Sequence, residues 1–194
     1  MTDKGPRIKK IPPGDTRERL VCPECDHIEY KNPKIVNIVI PVYKDPQTGE
    51  DLFLLVRRNI EPRKGYWTFP GGYMENGETP QEGGQRETKE EAGADVRVGA
   101  LLVIYQPPGK NEVIMIHRGE MDSSTYKAGI ESQEAKLFRK SELPWKQFAF
   151  PLVYDGFMAY EEFKGKKDFQ PKMIVGRSFL PPTIKIKPPK PPGM

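Results

Sequence analysis

The chain has 194 residues, of which 36% are hydrophobic and 30% charged, and its formal net charge is +4. This length favours one domain with short extensions, and so mild a positive charge is compatible with anionic ligands without predicting nucleic-acid binding. No apolar run approaches the ~18 residues of a transmembrane helix, so a membrane-spanning helical protein is excluded. The N-terminal segment lacks an apolar signal core, and we therefore expect a cytoplasmic protein.

Residues 1–34 form a polar segment that differs from the rest of the chain. Cys22 and Cys25 are separated by two residues, which is the spacing of a zinc knuckle. A complete zinc site usually takes its ligands from two such knuckles, and here His27 offers a third ligand without an obvious fourth. We therefore do not expect structural zinc, and a site shared between two chains is the alternative. Without metal, the two cysteines are reduced thiols in a reducing compartment.

The next segment has the pattern of β-strands. Residues Ile35–Tyr43 and Leu52–Arg57 are dominated by Ile, Val, Leu and Phe, and a turn-rich loop joins them. Runs this apolar predict strands that are covered on both faces. Arg57 and Arg58 end the second strand, and they are either surface charges or contacts to a phosphate or base.

Two aromatic residues and a glycine pair follow. Tyr66 and Trp67 either stack on a base or belong to the hydrophobic core. Residues 67–70 predict a strand that enters a sharp turn at Gly71 and Gly72. Glycines in such a turn let backbone carbonyls approach a metal ion closely.

A helix is predicted over about Pro80–Ala92. Thr79 is a suitable N-cap, proline suits the first helical position, and Glu82 completes a capping box. Gly93 provides a natural stop. With 3.6 residues per turn, Glu87, Glu90 and Glu91 lie within an arc of about 100°. Arg86 precedes Glu90 by one turn and can hold it in orientation.

As a structural element this helix is poor. Gly83 and Gly84 each cost roughly 1 kcal/mol relative to alanine, and like charges on one face repel. An ordinary solvated charged face is the alternative, but it explains neither the glycines nor the shared orientation of the glutamates. Carboxylates are hard oxygen ligands, so the pattern predicts a site for Mg²⁺ or Mn²⁺ that relieves the repulsion.

The C-terminal half adds strands, a helix and a tail. Residues Val96–Tyr105 and Glu112–Met121 read as two strands around a proline-containing turn, with His117 in a structural position. Residues 122–130 predict a polar loop. Apolar residues at helical spacing predict an amphipathic helix over Phe150–Phe163. Residues 166–194 predict an extended tail that is basic and proline-rich.

One spaced pattern unites the glycine turn with the helix. The stretch Gly72–Ala94 has Gly72, then Glu78 after five residues, and Arg86-Glu87, Glu90-Glu91 and Gly93 after a further seven. It resembles the Nudix box, the signature of hydrolases that cleave diphosphates linked to another group. All the fixed positions match. Thr88 departs from the family by being polar at a position that is usually aliphatic, and Ala94 is merely small.

The resemblance implies roles for individual residues. The Gly71 carbonyl, Glu87 and Glu91 would be the main metal ligands, with Glu90 as a further or outer ligand. Glu78 would brace the loop with Arg86, which belongs to the same catalytic unit. A second acidic group from outside these positions would be Glu134 as first choice or Glu131 as second. The candidate substrate-binding residues are Gly72, Arg57, Arg58, Tyr66 and Trp67.

The general base of the reaction would be Glu87 or Glu134. The alternative for residues 131–134 is that they form a charged strand edge without a catalytic role. Residues 1–34 resemble the end of a zinc-ribbon leader, with one knuckle only, that precedes some Nudix domains. The Nudix domain itself would cover residues 35–165, with the tail at 166–194.

The implied fold is an α/β class Nudix sandwich of α/β/α layers with a mixed β-sheet. The implied reaction is metal-dependent hydrolysis of a nucleoside diphosphate linked to another moiety, with ADP-ribose or FAD favoured and AMP released. Nucleotide sugars and capped RNA are alternative substrates, since the basic tail leaves nucleic acid open. A non-hydrolytic nucleotide sensor is the alternative from another class. A homodimer is also implied.

Overall fold

The computed structural model describes residues 4–176. Contacts divide the chain into two compact units, Met1–Pro33 and Lys34–Met194. The first unit holds a three-stranded antiparallel sheet in the order β1-β2-β3, formed by β1 (Ile8–Lys10), β2 (Arg19–Val21) and β3 (Ile28–Glu29).

The second unit is built on one large sheet. Its elements in chain order are β4 (Lys34–Lys44), β5 (Asp51–Arg58), β6 (Trp67–Thr68), β7 (Gly71–Tyr73), α1 (Pro80–Ala92), β8 (Arg97–Gln106), β9 (Glu112–Met121), β10 (Ser132–Arg139), α2 (Pro151–Phe163) and β11 (Lys172–Val175). The strand order is β10-β5-β4-β9-β8-β11, with β6 beside β5 and β7 beside β4. The β4–β9 and β8–β11 pairs are parallel and the others antiparallel, so the predicted mixed sheet is confirmed.

The central strand β4 divides the core into two layers because its side chains alternate between the faces of the sheet. Ile38 and Ile40 pack in a cluster with Phe157 of α2, whereas Val39 packs in a second cluster with Ala92 of α1. Helices therefore cover both faces, and the predicted α/β sandwich is confirmed.

Helix α1 has the predicted bounds and the predicted caps. Thr79 Oγ1 accepts a hydrogen bond from the Glu82 backbone N–H, and the Glu82 carboxylate accepts one from the Thr79 N–H. Gly93 ends the helix in the left-handed region at φ 60°. Thr88, the polar departure from the family pattern, is fully buried and donates to the Gly84 carbonyl at 2.7 Å.

The last predicted elements are partly revised. Helix α2 begins at Pro151, one residue after the predicted start, and His117 lies buried in β9. The predicted tail contains a strand, β11, which extends the sheet beside β8; its pairing with β8 gave no signal in the sequence. The prediction for residues 177–194 lies outside the described residues. Between residues 4 and 176, no helix has the length and apolar character needed to cross a membrane.

Candidate active site

A glycine turn packs directly on the central strand. In β7, Gly71 lies opposite Ile38 and Gly72 opposite Asn37. A Cβ added to Gly71 would lie 2.3 Å from the Asn37 carbonyl oxygen, and one added to Gly72 would lie 2.5 Å from the Glu87 carboxylate. Both distances are shorter than van der Waals contact, so a side chain at Gly71 would clash with the strand backbone and one at Gly72 would displace the Glu87 carboxylate.

Helix α1 presents its glutamates to that turn. Glu91 is buried and its Oε2 accepts a hydrogen bond of 3.0 Å from the Gly71 N–H. Burial raises the pKa of Glu91 to about 7, although the Gly71 N–H lowers it, and the nearby charge of Glu87 raises it further. Burial also raises the pKa of Glu87 against the lowering effect of Arg86. Glu90 is the exposed member of the set, with 58% of its side chain accessible.

Arg86 connects the loop before α1 to these carboxylates. Its Nη2 and Nε donate to Glu78 at 2.9 and 3.1 Å, and its Nη1 donates to Glu87 at 2.8 Å. Its Nη1 also reaches Glu90 at 3.4 Å. The guanidinium lowers the pKa of Glu78, which stays ionised. Arg86 therefore ties the loop to the acidic face of the helix.

The glycine turn, Arg86 and the three glutamates on the acidic face of α1 line one cavity of about 860 Å³. Its charged part includes Glu87, Glu91 and Glu131, together with the cations Arg58 and Arg86. Its apolar part includes Tyr105, Phe150, Ile38 and Ile114. The cavity thus combines an acidic face suited to a divalent cation with aromatic rings and cationic side chains suited to a nucleotide.

The two candidate acidic groups of residues 131–134 are separated by the structure. Glu131 lines the cavity, and its charge raises the pKa of both Glu87 and Glu91. Glu134 is exposed on β10, opposite Arg57, just past a register shift between residues 132 and 134. Glu134, the first choice from the sequence, is not among the residues that line this cavity, and its assignment as the second acidic group stays a prediction.

Three of the residues predicted to bind substrate do not line the cavity. Trp67 is buried in the core and makes an edge-to-face contact with Phe138 at 4.9 Å, so its alternative interpretation as a core residue holds. Arg57 donates through Nε to the Gly65 carbonyl, and Tyr66 lies under Arg63. Arg58 and Gly72 do line the cavity.

Sequence reasoning missed three residues that line the cavity, namely Tyr105, Lys110 and Phe150. Tyr105 and Lys110 lie at either end of the β8–β9 turn, and Phe150 is the residue that precedes α2. These residues share one cavity because β4 and β9 are parallel neighbours, which brings distant segments of the chain to the same end of the sheet. That pairing is long-range and had no local pattern in the sequence.

The carboxylate oxygens of the acidic face are the kind of ligand that hard divalent cations prefer. The carboxylates of Glu87 and Glu91 are buried or partly buried and close to each other, which raises the pKa of both. Their negative charge is left to be compensated by a cation. Among residues 4–176, no three His, Cys, Asp or Glu side chains are arranged so that they could hold a metal ion by themselves. An ion here would therefore share its coordination with substrate oxygens and water, as Mg²⁺ usually does.

The first unit does not fit a zinc ion. Cys22 is buried and donates through Sγ to Glu24 at 3.0 Å, while Cys25 is exposed. Arg7 forms an ion pair with the same Glu24. Glu24, with its partner Arg7, thus lies beside the Cys22 thiol, and a charged pair stands where a complete site would need further soft ligands.

Comparisons with known proteins place this geometry in a family. The NUDIX domain model matches residues 33–158, and the Nudix N-terminal model matches residues 5–31. A NUDIX hydrolase from Nitrosomonas europaea of known crystal structure is 38% identical, with a TM-score of 0.77 over 90% of this chain and 98% of that one.

Two curated relatives are also similar. An ADP-ribose pyrophosphatase from Methanocaldococcus jannaschii is 30% identical over 58% of this chain and 69% of its own length. The human 8-oxo-dGDP phosphatase NUDT18 is 32% identical over 60% of this chain, but the match spans only 36% of that protein.

The chain belongs to the Nudix hydrolase family. The predictions of that family, of its zinc-ribbon-type leader and of an enzyme are thereby confirmed. Enzymes of this family generally use divalent metal ions.

Proposed function

We propose that the protein hydrolyses the phosphoanhydride of a nucleoside diphosphate linked to a second group, with ADP-ribose or FAD preferred and AMP released. The observation that carries the proposal is the cavity of about 860 Å³, in which Glu87, Glu91 and Glu131 share one space with Tyr105 and Phe150. A substrate of this class has the matching composition, since a charged diphosphate lies between an aromatic base and a second polar or aromatic group.

The proposal includes a divalent cation, Mg²⁺ or Mn²⁺. Glu87, Glu90, Glu91 and the Gly71 carbonyl would hold it. When bound, such an ion neutralises diphosphate charge and lowers the pKa of a bound water.

Arg58 is the cation that we assign to the substrate phosphates. It lines the cavity, and its charge lowers the pKa of Glu91, so it lies within electrostatic range of the acidic face. Its guanidinium is held over the Phe150 ring at 5.2 Å, and its Nε donates to the Pro62 carbonyl at 2.9 Å. These contacts limit the side-chain freedom that would otherwise be lost on binding a phosphate.

A carboxylate of the cavity accepts the proton of the attacking water. Glu87 and Glu131 are the two candidates, and Glu131 replaces Glu134 in this role because only Glu131 lines the cavity. The water oxygen forms a bond to one phosphorus, and the bridging oxygen leaves with its electron pair on the other phosphate. The products are AMP and ribose 5-phosphate from ADP-ribose, or AMP and FMN from FAD.

The relatives support the reaction class and widen the choice of substrates to be tested. The archaeal relative is named an ADP-ribose pyrophosphatase, and the human relative is named an 8-oxo-dGDP phosphatase. An oxidised guanine nucleotide therefore belongs beside nucleotide sugars and capped RNA among the alternatives. A homodimer is part of the same proposal, and light scattering on the purified chain tests it.

The deciding experiment is a substrate panel with Mg²⁺ and with Mn²⁺, followed by chromatography of the products. The panel contains ADP-ribose, FAD, NADH, UDP-glucose, 8-oxo-dGDP and a capped RNA. We expect AMP from ADP-ribose or FAD, and a loss of at least ~100-fold in kcat for Glu91→Gln. Glu161→Gln is the matched control, since Glu161 lies on α2 and pairs with Lys140. A wild-type chain that binds ADP-ribose and cleaves none of the panel would instead favour the sensor.

A further inference from the structure

Asn37 is a polar residue in the middle of β4, where the neighbouring side chains are apolar. It has 0% exposure, and neither its Nδ2 nor its Oδ1 has a hydrogen-bond partner among the residues that the structure describes. By strand alternation its side chain lies on the same face as Val39, which packs beside α1. A buried amide left without partners destabilises a fold by ~1–3 kcal/mol, so packing alone does not account for an asparagine here.

The amide group lies next to the loop glutamate of the active site. A Cβ added to Gly83 would lie 2.7 Å from Asn37 Nδ2 and 2.7 Å from Glu78 Oε1. The two polar atoms therefore flank the same small space, which stays open because residue 83 has no side chain. This also explains a glycine in the first turns of α1, where it lowers helix stability.

The Glu78 carboxylate can accept a further hydrogen bond, and the Asn37 amide is a donor. Its Oε1 accepts hydrogen bonds from the Glu75 N–H at 2.6 Å and from Arg86 Nη2 at 2.9 Å. A pair of carboxylate oxygens has room for about four hydrogen bonds, and an amide N–H is a suitable donor. Through Arg86, which also donates to Glu87, a restraint on Glu78 reaches the acidic face of α1.

We propose that Asn37 is a positioning residue of the hydrolytic site, an inference that rests on the proposed function. Its amide donates to Glu78 through one water in the space beside Gly83, and thereby fixes Arg86 beside Glu87. Asn37 does not touch the substrate or the reacting atoms. The buried amide is retained at a cost in stability because it orders the groups that do.

The test separates stability from activity. Asn37→Leu keeps the branched shape and the number of heavy atoms of the side chain and removes both unpaired polar atoms, so we expect an equal or higher unfolding temperature. In the same variant we expect kcat to fall ~10–100-fold and Mn²⁺ affinity, measured by electron paramagnetic resonance, to weaken by a similar factor. Asn37→Thr retains a hydroxyl donor and should recover part of both losses.

Thr88→Val is the matched control, because Thr88 is also a buried polar residue near the site but donates within its own helix. We expect it to keep kcat and Mn²⁺ affinity within about threefold of wild type. Asn37→Leu with unchanged kcat and Mn²⁺ affinity would overturn the inference, as would losses that follow a lower unfolding temperature and are not recovered by threonine. If wild type binds Mn²⁺ and cleaves nothing, the proposed function fails, while the Mn²⁺ affinities still decide the role of Asn37.

Discussion

The backbone N–H of Gly71 donates a hydrogen bond of 3.0 Å to the carboxylate of Glu91, twenty residues later in the chain. This bond joins the glycine turn of β7 to the last turn of α1. The turn and the acidic face therefore form one unit, and small changes in the turn should alter the chemistry of the helix.

Gly72→Ala should reduce activity with little effect on stability. The added Cβ would lie 2.5 Å from the Glu87 carboxylate, which is the mobile end of a side chain and can move away. We expect the free energy of unfolding to change by no more than ~1 kcal/mol, while displacement of Glu87 lowers kcat by ~10–100-fold. Denaturant unfolding and product release measured on the same sample check both expectations.

Gly71→Ala is the matched variant, because its added Cβ would lie 2.3 Å from the Asn37 carbonyl oxygen and 2.7 Å from the Ile38 Cα. Those atoms belong to the central strand and have no rotamer to change. We expect this variant to be the less stable of the two. Equal loss of stability in both variants would contradict the close packing described for the turn.

Glu131→Gln and Glu134→Gln should differ in activity. Both side chains are exposed, but Glu131 lines the cavity and interacts electrostatically with Glu87, whereas Glu134 lies opposite Arg57 on an edge strand. Loss of a general base lowers kcat by ~100-fold or more, and loss of an exposed surface charge has almost no effect. Steady-state kinetics distinguish the two, and the reverse order of effects would restore Glu134 to the site.

His117 predicts a pH dependence of stability. It is buried in β9, and burial lowers its pKa below the ordinary value of 6.5. As the pH falls through about 6.5, the unfolded chain takes up a proton that the folded protein does not, so the free energy of unfolding decreases. Above that pH this contribution to the pH dependence disappears.

Urea unfolding of wild type and His117→Gln at about pH 7.5 and about pH 5.5 tests this effect. We expect the stability lost on acidification to be smaller in the variant, because glutamine does not titrate. Equal losses in the two proteins would show that His117 accepts a proton inside the fold.

The leader should fold without zinc. Cys22 and Cys25 are the only cysteines of the chain, and the Arg7–Glu24 ion pair lies next to them. We expect far less than one zinc ion per purified chain by atomic emission, and no change in unfolding temperature on addition of a chelator. One zinc ion per two chains would support the shared site instead.

The sequence was informative wherever the structure depends on local interactions. The caps of α1 at Thr79 and Gly93 follow from side-chain and backbone preferences within a few residues, and both are observed. The acidic face of the same helix follows from its period. Periodicity also located α2 and the long strands, because each buries an apolar face.

The remainder depended on contacts between distant parts of the chain. Trp67 and Phe150 have similar apolar character, yet Trp67 is buried in the core, whereas Phe150 is partly buried against the same cluster and also lines the cavity. Glu131 and Glu134 are three residues apart, yet Glu131 lines the cavity, whereas Glu134 lies opposite Arg57 in the β10–β5 pair. Strand pairing and register set these outcomes, and neither is encoded in a short stretch of sequence.

Titration of the metal-free protein with Mn²⁺, followed by electron paramagnetic resonance, tests the central claim most directly. Glutamine at residue 91 keeps an oxygen that accepts the Gly71 N–H but lacks the charge, so the fold is retained and the ligand is weakened. We predict Mn²⁺ binding by wild type, and binding at least ~10-fold weaker in Glu91→Gln. Equal affinity in the two proteins would contradict a metal site on the acidic face of α1.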